Sequence, residues 1–205
     1  MNDTRREHHR PVGVAIDGGG RAAGGDGWHE VRLPFRPPLA VDGLVDFLGA
    51  RALPGVEQVV DGAYRRVLRL PGGLGVVSLS AGGATAVDGS EPWVACRLWP
   101  EDLGDGPAAV AACRRLLDLD ADPVAIDAAL GADPLLAQLV AASPGRRAPV
   151  HVDADELAIR AILGQQVSLA AARRLGGQLA ALCGEPLAEP LGRLTTAFPS
   201  AAAVA

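Results

Sequence analysis

A glycine and two glutamines interrupt an alanine-rich stretch late in the sequence. In RAILGQQVSLAAAR, residues 160–173, apolar residues run up to Leu163. Gly164, Gln165 and Gln166 then break the pattern, and Ser168 opens a second apolar run. Amides and a hydroxyl at this spacing can fill space and form hydrogen bonds. Two readings follow: a solvated turn, or a loop shaped to touch something. Arginines flank it, with Arg146 and Arg147 upstream and Arg173 and Arg174 downstream. All 19 basic residues are arginine, so each cation can make a two-pronged contact to a phosphate or carboxylate, or lie solvated on the surface.

Other chemistries find no support. Asp153, Asp155 and Glu156 cluster where a helix should start, and capping explains them. Asp118, Asp120 and Asp122 alternate without the glycine and distal glutamate of a calcium loop. Nothing resembles a Ser/His/Asp triad or a phosphate-cradling glycine motif. Cys96, Cys113 and Cys183 are far apart and lack C-x-x-C spacing, so they read as buried free thiols, not a zinc site or disulfide framework. His8 and His9 lack further ligands at suitable spacing, so no metal and no cofactor is expected. A net charge of −5 argues against a generic nucleic-acid coat but leaves room for one local basic face. No apolar run approaches the ~20 residues of a membrane span and no signal-peptide block is present, so a cytoplasmic protein is the expectation.

The elements that must position the loop can be read from periodicity. Residues 1–27 are rich in glycine and charge and read as a disordered tail or linker. WHEVRLPFR alternates as a strand, and Asp42 offers an N-cap to a helix with Leu44, Phe47 and Leu48 on one face. VEQVV, AYRRVLRL, LGVVSLS and WVACRLWP follow as strands. Residues 28–142 therefore predict an α+β unit, an antiparallel sheet with helices on one face. Val110, Cys113, Leu116 and Leu117 mark a helix, and the pairs Asp122–Pro123 and Asp133–Pro134 open two more. SPGRRAPVHV is a connector and the expected boundary of a second, helical unit, residues 143–205. There Asp153 caps a helix with Glu156 as capping-box partner, and Ser168 caps another that ends at Gly184. EPLAEPLGRL reads as a loop, and Ser200 caps a last short helix.

Four stretches carry a resemblance. RLPFRPPL, DFLGARALPGVEQVVDGAYRRVLRL, CRRLLDLDADP and PGRRAPVHVDADELAIRAILGQQVSLAAARRL occur in the order and with the gaps of the inducible 3-methyladenine DNA glycosylases of type II. These belong to the helix-hairpin-helix glycosylase superfamily. The chain is most similar to versions fused behind a methylphosphotriester-sensing transcription factor, and the likeness runs from Val31 to the C-terminus.

The resemblance implies a TATA-binding-protein-like sheet domain, then an all-helical domain with the hairpin and a catalytic aspartate. Only the start of the helical part finds a match, so no catalytic residue is assigned and the 205-residue chain is expected to be inactive alone. It implies double-stranded DNA with alkylated bases as partner, and a further chain that could supply the missing half. The alternative is a non-catalytic remnant that binds DNA or a partner. Gln166, with Gln165 beside it, would be a wedge filling the hole left by an extracted base. Gly164 would give the sharp turn, Ser168 the adjoining cap, and Arg146, Arg147 and Arg173 phosphate contacts. Arg51 matches an arginine near the base pocket, against the plain reading of a helix-end residue.

Overall fold

The computed structural model describes residues 27–83, 91–100 and 102–205. The expected tail, with His8 and His9, therefore lies outside the described residues apart from Gly27.

The fold is α+β, built on an antiparallel sheet in the order β1-β5-β4-β3-β2. Its strands are β1 (His29–Pro34), β2 (Glu57–Val60), β3 (Ala63–Leu70), β4 (Gly73–Ala81) and β5 (Trp93–Pro100). Alternation decides which side chains face the core. In β5, Val94, Cys96 and Leu98 point inward and the residues between them outward. Asp61 and Gly62 both have positive φ, 51° and 72°, which closes the β2–β3 hairpin with the twist a two-residue loop needs.

Helices α1 (Val41–Arg51) and α2 (Gly106–Leu116) cover one face of the sheet. From α1, Val41, Leu44, Val45 and Leu48 are buried, whereas Phe47 is exposed. The N-cap of α1 is Ala40, with no side-chain cap. Asp42 instead lies in the first turn, where its charge favours the helix dipole without capping it. Two of the expected buried thiols meet in this core, Cys96 Sγ lying 4.0 Å from Cys113 Sγ, whereas Cys183 is only half-buried. Asp122 and Asp133 cap α3 (Pro123–Gly131) and α4 (Pro134–Ala142) by accepting from Ala125 N and Leu135 N.

The opposite face of the sheet is covered by a segment expected to be loop. EPLAEPLGRL forms a hairpin of β6 (Pro186–Leu191) and β7 (Leu194–Thr196). Leu194 and Ala197 pack on Val67, Leu74 and Val76, and Thr195 N donates to Gly55 O at 2.8 Å. Two prolines hid the strand, but they are tolerated where a strand has one unpaired edge. The hairpin of residues 186–196 and the adjoining Ala197 thus cover the sheet's second face. The remaining helices are α5 (Ala154–Leu163), α6 (Leu169–Cys183) and α7 (Ala201–Val204). Among the described residues, no helix is long and apolar enough to cross a membrane.

Candidate nucleic-acid interface

Helices α5 and α6 present the QQ loop. Asp153 accepts from Glu156 N at 2.8 Å and starts α5. Ser168 accepts from Ala171 N at 3.2 Å and starts α6. Between them, residues 164–168 are all exposed. The sharp bend is not at Gly164, which is right-handed (φ −83°, ψ −7°) and ends α5 by donating to Arg160 O at 2.9 Å. Gln166 makes it, with φ +56°. Asp61 and Asp118 share that left-handed region, but aspartate can stabilise it through short local hydrogen bonds. Glutamine has no such compensation, so this bend carries backbone strain at an exposed polar side chain.

What holds the loop's α5 stem is a buried ionic cluster, which sequence reasoning missed. Arg66 sits on the inward parity of β3, between Tyr64 and Leu68, and is 1% exposed. It donates to Glu156 Oε2 on α5 at 2.7 Å and to Glu57 Oε1 on β2 at 3.4 Å. Glu57 also accepts from Tyr64 Oη at 2.5 Å and Leu53 N at 2.8 Å. Arg160 closes the ring, its Nη1 donating to Glu57 Oε2 at 3.0 Å and Glu156 Oε1 at 2.9 Å. The expected capping box is therefore half made: Asp153 caps, but the Glu156 carboxylate turns into the protein. Two signals could have revealed this: an arginine on the buried parity of β3, and the i,i+4 spacing of Glu156 and Arg160.

Burial by itself raises the Glu57 carboxyl, but Arg66 and Arg160, with the Tyr64 hydroxyl and Leu53 N–H, outweigh it and hold the group below its ordinary value. His151 lies beside the cluster, its Nε2 3.4 Å from Glu156 Oε1 and its Nδ1 buried without a partner among the described residues. Burial pushes His151 down, and Arg66 and Arg160 add to that against Glu156 and Glu57. Both depressed groups bind protons more readily in the unfolded chain. Stability should therefore decline as pH falls below about 6.5, the ordinary His151 value, and decline again below about 4.5, that of Glu57. Melting temperature against pH should show both steps, and His151→Gln should remove the upper one; a flat profile from pH 7 to 5 would contradict this assignment.

The expected site arginines separate. Arg147 is buried, and its guanidinium donates to Arg36 O at 2.6 Å and more weakly to Pro38 O and Ala121 O. It ties the connector to the sheet unit and does not present a surface cation, which corrects its reading as a phosphate contact. Arg146 is exposed, with Nε on Ser143 Oγ at 2.9 Å. Arg173 is half-buried and donates from Nε to Ala52 O at 2.9 Å. Arg51 folds back on its own helix, 3.6 Å above the Phe47 ring and bonded to Phe47 O at 3.1 Å.

The AlkA N-terminal domain family model matches residues 30–153. A protein of Mycobacterium tuberculosis strain CDC 1551, called "Probable bifunctional transcriptional activator/DNA repair enzyme AlkA", is 50% identical over 170 residues, covering 83% of this chain and 33% of that protein. DNA-3-methyladenine glycosylase 2 of Escherichia coli K12 is 39% identical over 160 residues, covering 76% and 51%. The chain thus spans about a third and about half of these relatives' lengths. Among solved structures, a 3-methyladenine DNA-glycosylase from Archaeoglobus fulgidus superposes with a TM-score of 0.69 at 20% identity, covering 84% of this chain and 57% of that one. MBOgg1 in complex with a low-affinity DNA ligand superposes with a TM-score of 0.57 at 19% identity, covering 84% and 52%. At that identity the likeness is one of fold. The relatives and the matched domain together identify the chain as a member of the AlkA N-terminal domain family.

Proposed function

We propose that this chain is the sheet-and-wedge part of a DNA N-glycosylase that removes alkylated purines by base flipping. The carrying observation is Gln166, an exposed glutamine held in a left-handed bend between two capped helices. Strain of this kind persists where surrounding structure over-determines it, as at binding sites. A base inside a duplex is out of reach of an enzyme, and extracting it costs on the order of a few kcal/mol in lost stacking. A side chain entering the vacated space offsets part of that cost, and an amide can also hydrogen-bond the orphaned base. The domain reading that goes with this is a sheet unit over residues 28–142 and the first helices of a glycosylase domain over 143–205.

The carboxylates support a division of labour. Glu57 and Glu156 are each ion-paired to two arginines, so neither is available to stabilise positive charge growing on a sugar. Neither Glu57 nor Glu156 is therefore assigned the cleaving role. A duplex carrying an abasic site already contains the hole, so the 205-residue chain should bind it about tenfold more tightly than the intact duplex. It should release no 3-methyladenine from alkylated DNA. Competition binding at one salt concentration checks the first statement, and equal affinity for the two duplexes would overturn the reading.

A further inference from the structure

We infer that Arg160 and Arg173 are positioning residues that clamp the two stems of the QQ loop onto the end of α1. The inference rests on reading Gln166 as the wedge. The two arginines stand on opposite sides of residues 164–168, one in the last turn of α5 and one in the first turns of α6. They reach consecutive carbonyls. Arg160 Nη2 donates to Arg51 O at 2.9 Å, and Arg173 Nε donates to Ala52 O at 2.9 Å. These oxygens close α1, where carbonyls lack helical partners and the helix dipole favours a cation.

The seat itself is rigid. Glu57 Oε2 accepts from both Leu53 N and Arg160 Nη1, locking the turn after α1 to the same guanidinium. On the other stem, Gly176 and Gly177 bring α6 against that turn. A Cβ at Gly176 would lie 2.9 Å from Leu53 Cδ2, and one at Gly177 would lie 2.9 Å from Pro54 Cδ. Leu53, Val56, Ala180 and Phe198 fill the junction, with Ile159 and Leu179 beside them. Both ends of the loop are thus referred to one point on the sheet unit, residues 51–54. A wedge must meet a hole in the duplex at a fixed place, and an anchored loop arrives already shaped for it.

The test combines backbone ¹⁵N relaxation with DNA binding on the 205-residue chain. In the wild type, amides 164–168 should have order parameters of about 0.85, as in ordered backbone. Arg173→Ala should lower them below about 0.6 while core amides stay unchanged. Arg160→Lys serves as the second variant because it keeps a cation in the buried cluster and spares the fold. Both should lose about fivefold to tenfold of the preference for an abasic over an intact duplex, with intact-duplex affinity unchanged. A loop that stays ordered in both variants overturns the inference, whatever DNA does. A loop that loosens in a chain whose wild type shows no abasic preference upholds the clamp and sinks the wedge reading instead.

Discussion

Arg66→Met is expected to cost about 3–5 kcal/mol of folding stability. Removing this side chain leaves Glu156 Oε2 without its 2.7 Å partner inside the protein and takes one of two cations from Glu57. An uncompensated buried charge is far more costly than the ion pair was stabilising, because the pair itself had to lose its hydration. A domain of this size is stable by about 5–15 kcal/mol, so the variant should sit near the edge of folding. Urea denaturation should show a lower midpoint at unchanged slope. Adding Glu156→Leu to Arg66→Met should recover part of the loss, since the stranded carboxylate is then gone. A single-variant loss below about 1 kcal/mol would mean that the cluster is solvated and does not join α5 to the sheet.

How much of this was legible in the sequence follows from what each signal depends on. Local rules read the five strands of the large sheet, the Asp–Pro helix starts and the Ser168 cap correctly, because those patterns act within a few residues. The α+β class followed from periodicity, and the family from the order of motifs. Asp42 was misplaced because the helix starts two residues earlier, where Val41 packs in the core, and capping patterns do not see packing. β6 and β7 were hidden because their pairing is justified by an apolar face on another part of the chain, Val67, Leu74 and Val76. The arginines were the hardest to sort. Arg65 and Arg66 are adjacent, yet one is half-buried on the face that also carries Val67 and the other is among the most buried side chains. Strand parity alone distinguishes them, and it had to be set against the general rule that arginines stay in water. Arg147 and Arg173 looked like surface cations for the same reason, although their partners are backbone carbonyls more than 100 residues away. The bend fell on Gln166, two residues after Gly164, because glycine is merely permitted a left-handed conformation and is not obliged to adopt it.

The second large effect concerns that bend. Gln166→Ala should abolish most of the abasic preference, a loss of about tenfold, because a methyl group neither fills a nucleotide-sized hole nor bonds the orphaned base. Gln166→Gly separates function from stability. Glycine adopts φ +56° without strain, so this variant should be as stable as the wild type or up to about 1 kcal/mol more stable. It should nonetheless bind the abasic duplex no better than Gln166→Ala. Stability gained and selectivity lost at one residue is the signature of strain kept for binding.

Insertion can be observed directly with 2-aminopurine placed beside an abasic site in a duplex. If Gln166 enters the hole, the wild-type chain will change the probe's fluorescence at saturation, and Gln166→Ala and Gln166→Gly will leave it near the free-duplex value although they still bind. A probe that responds equally to all three proteins, or to none of them at saturation, would contradict a wedge at Gln166.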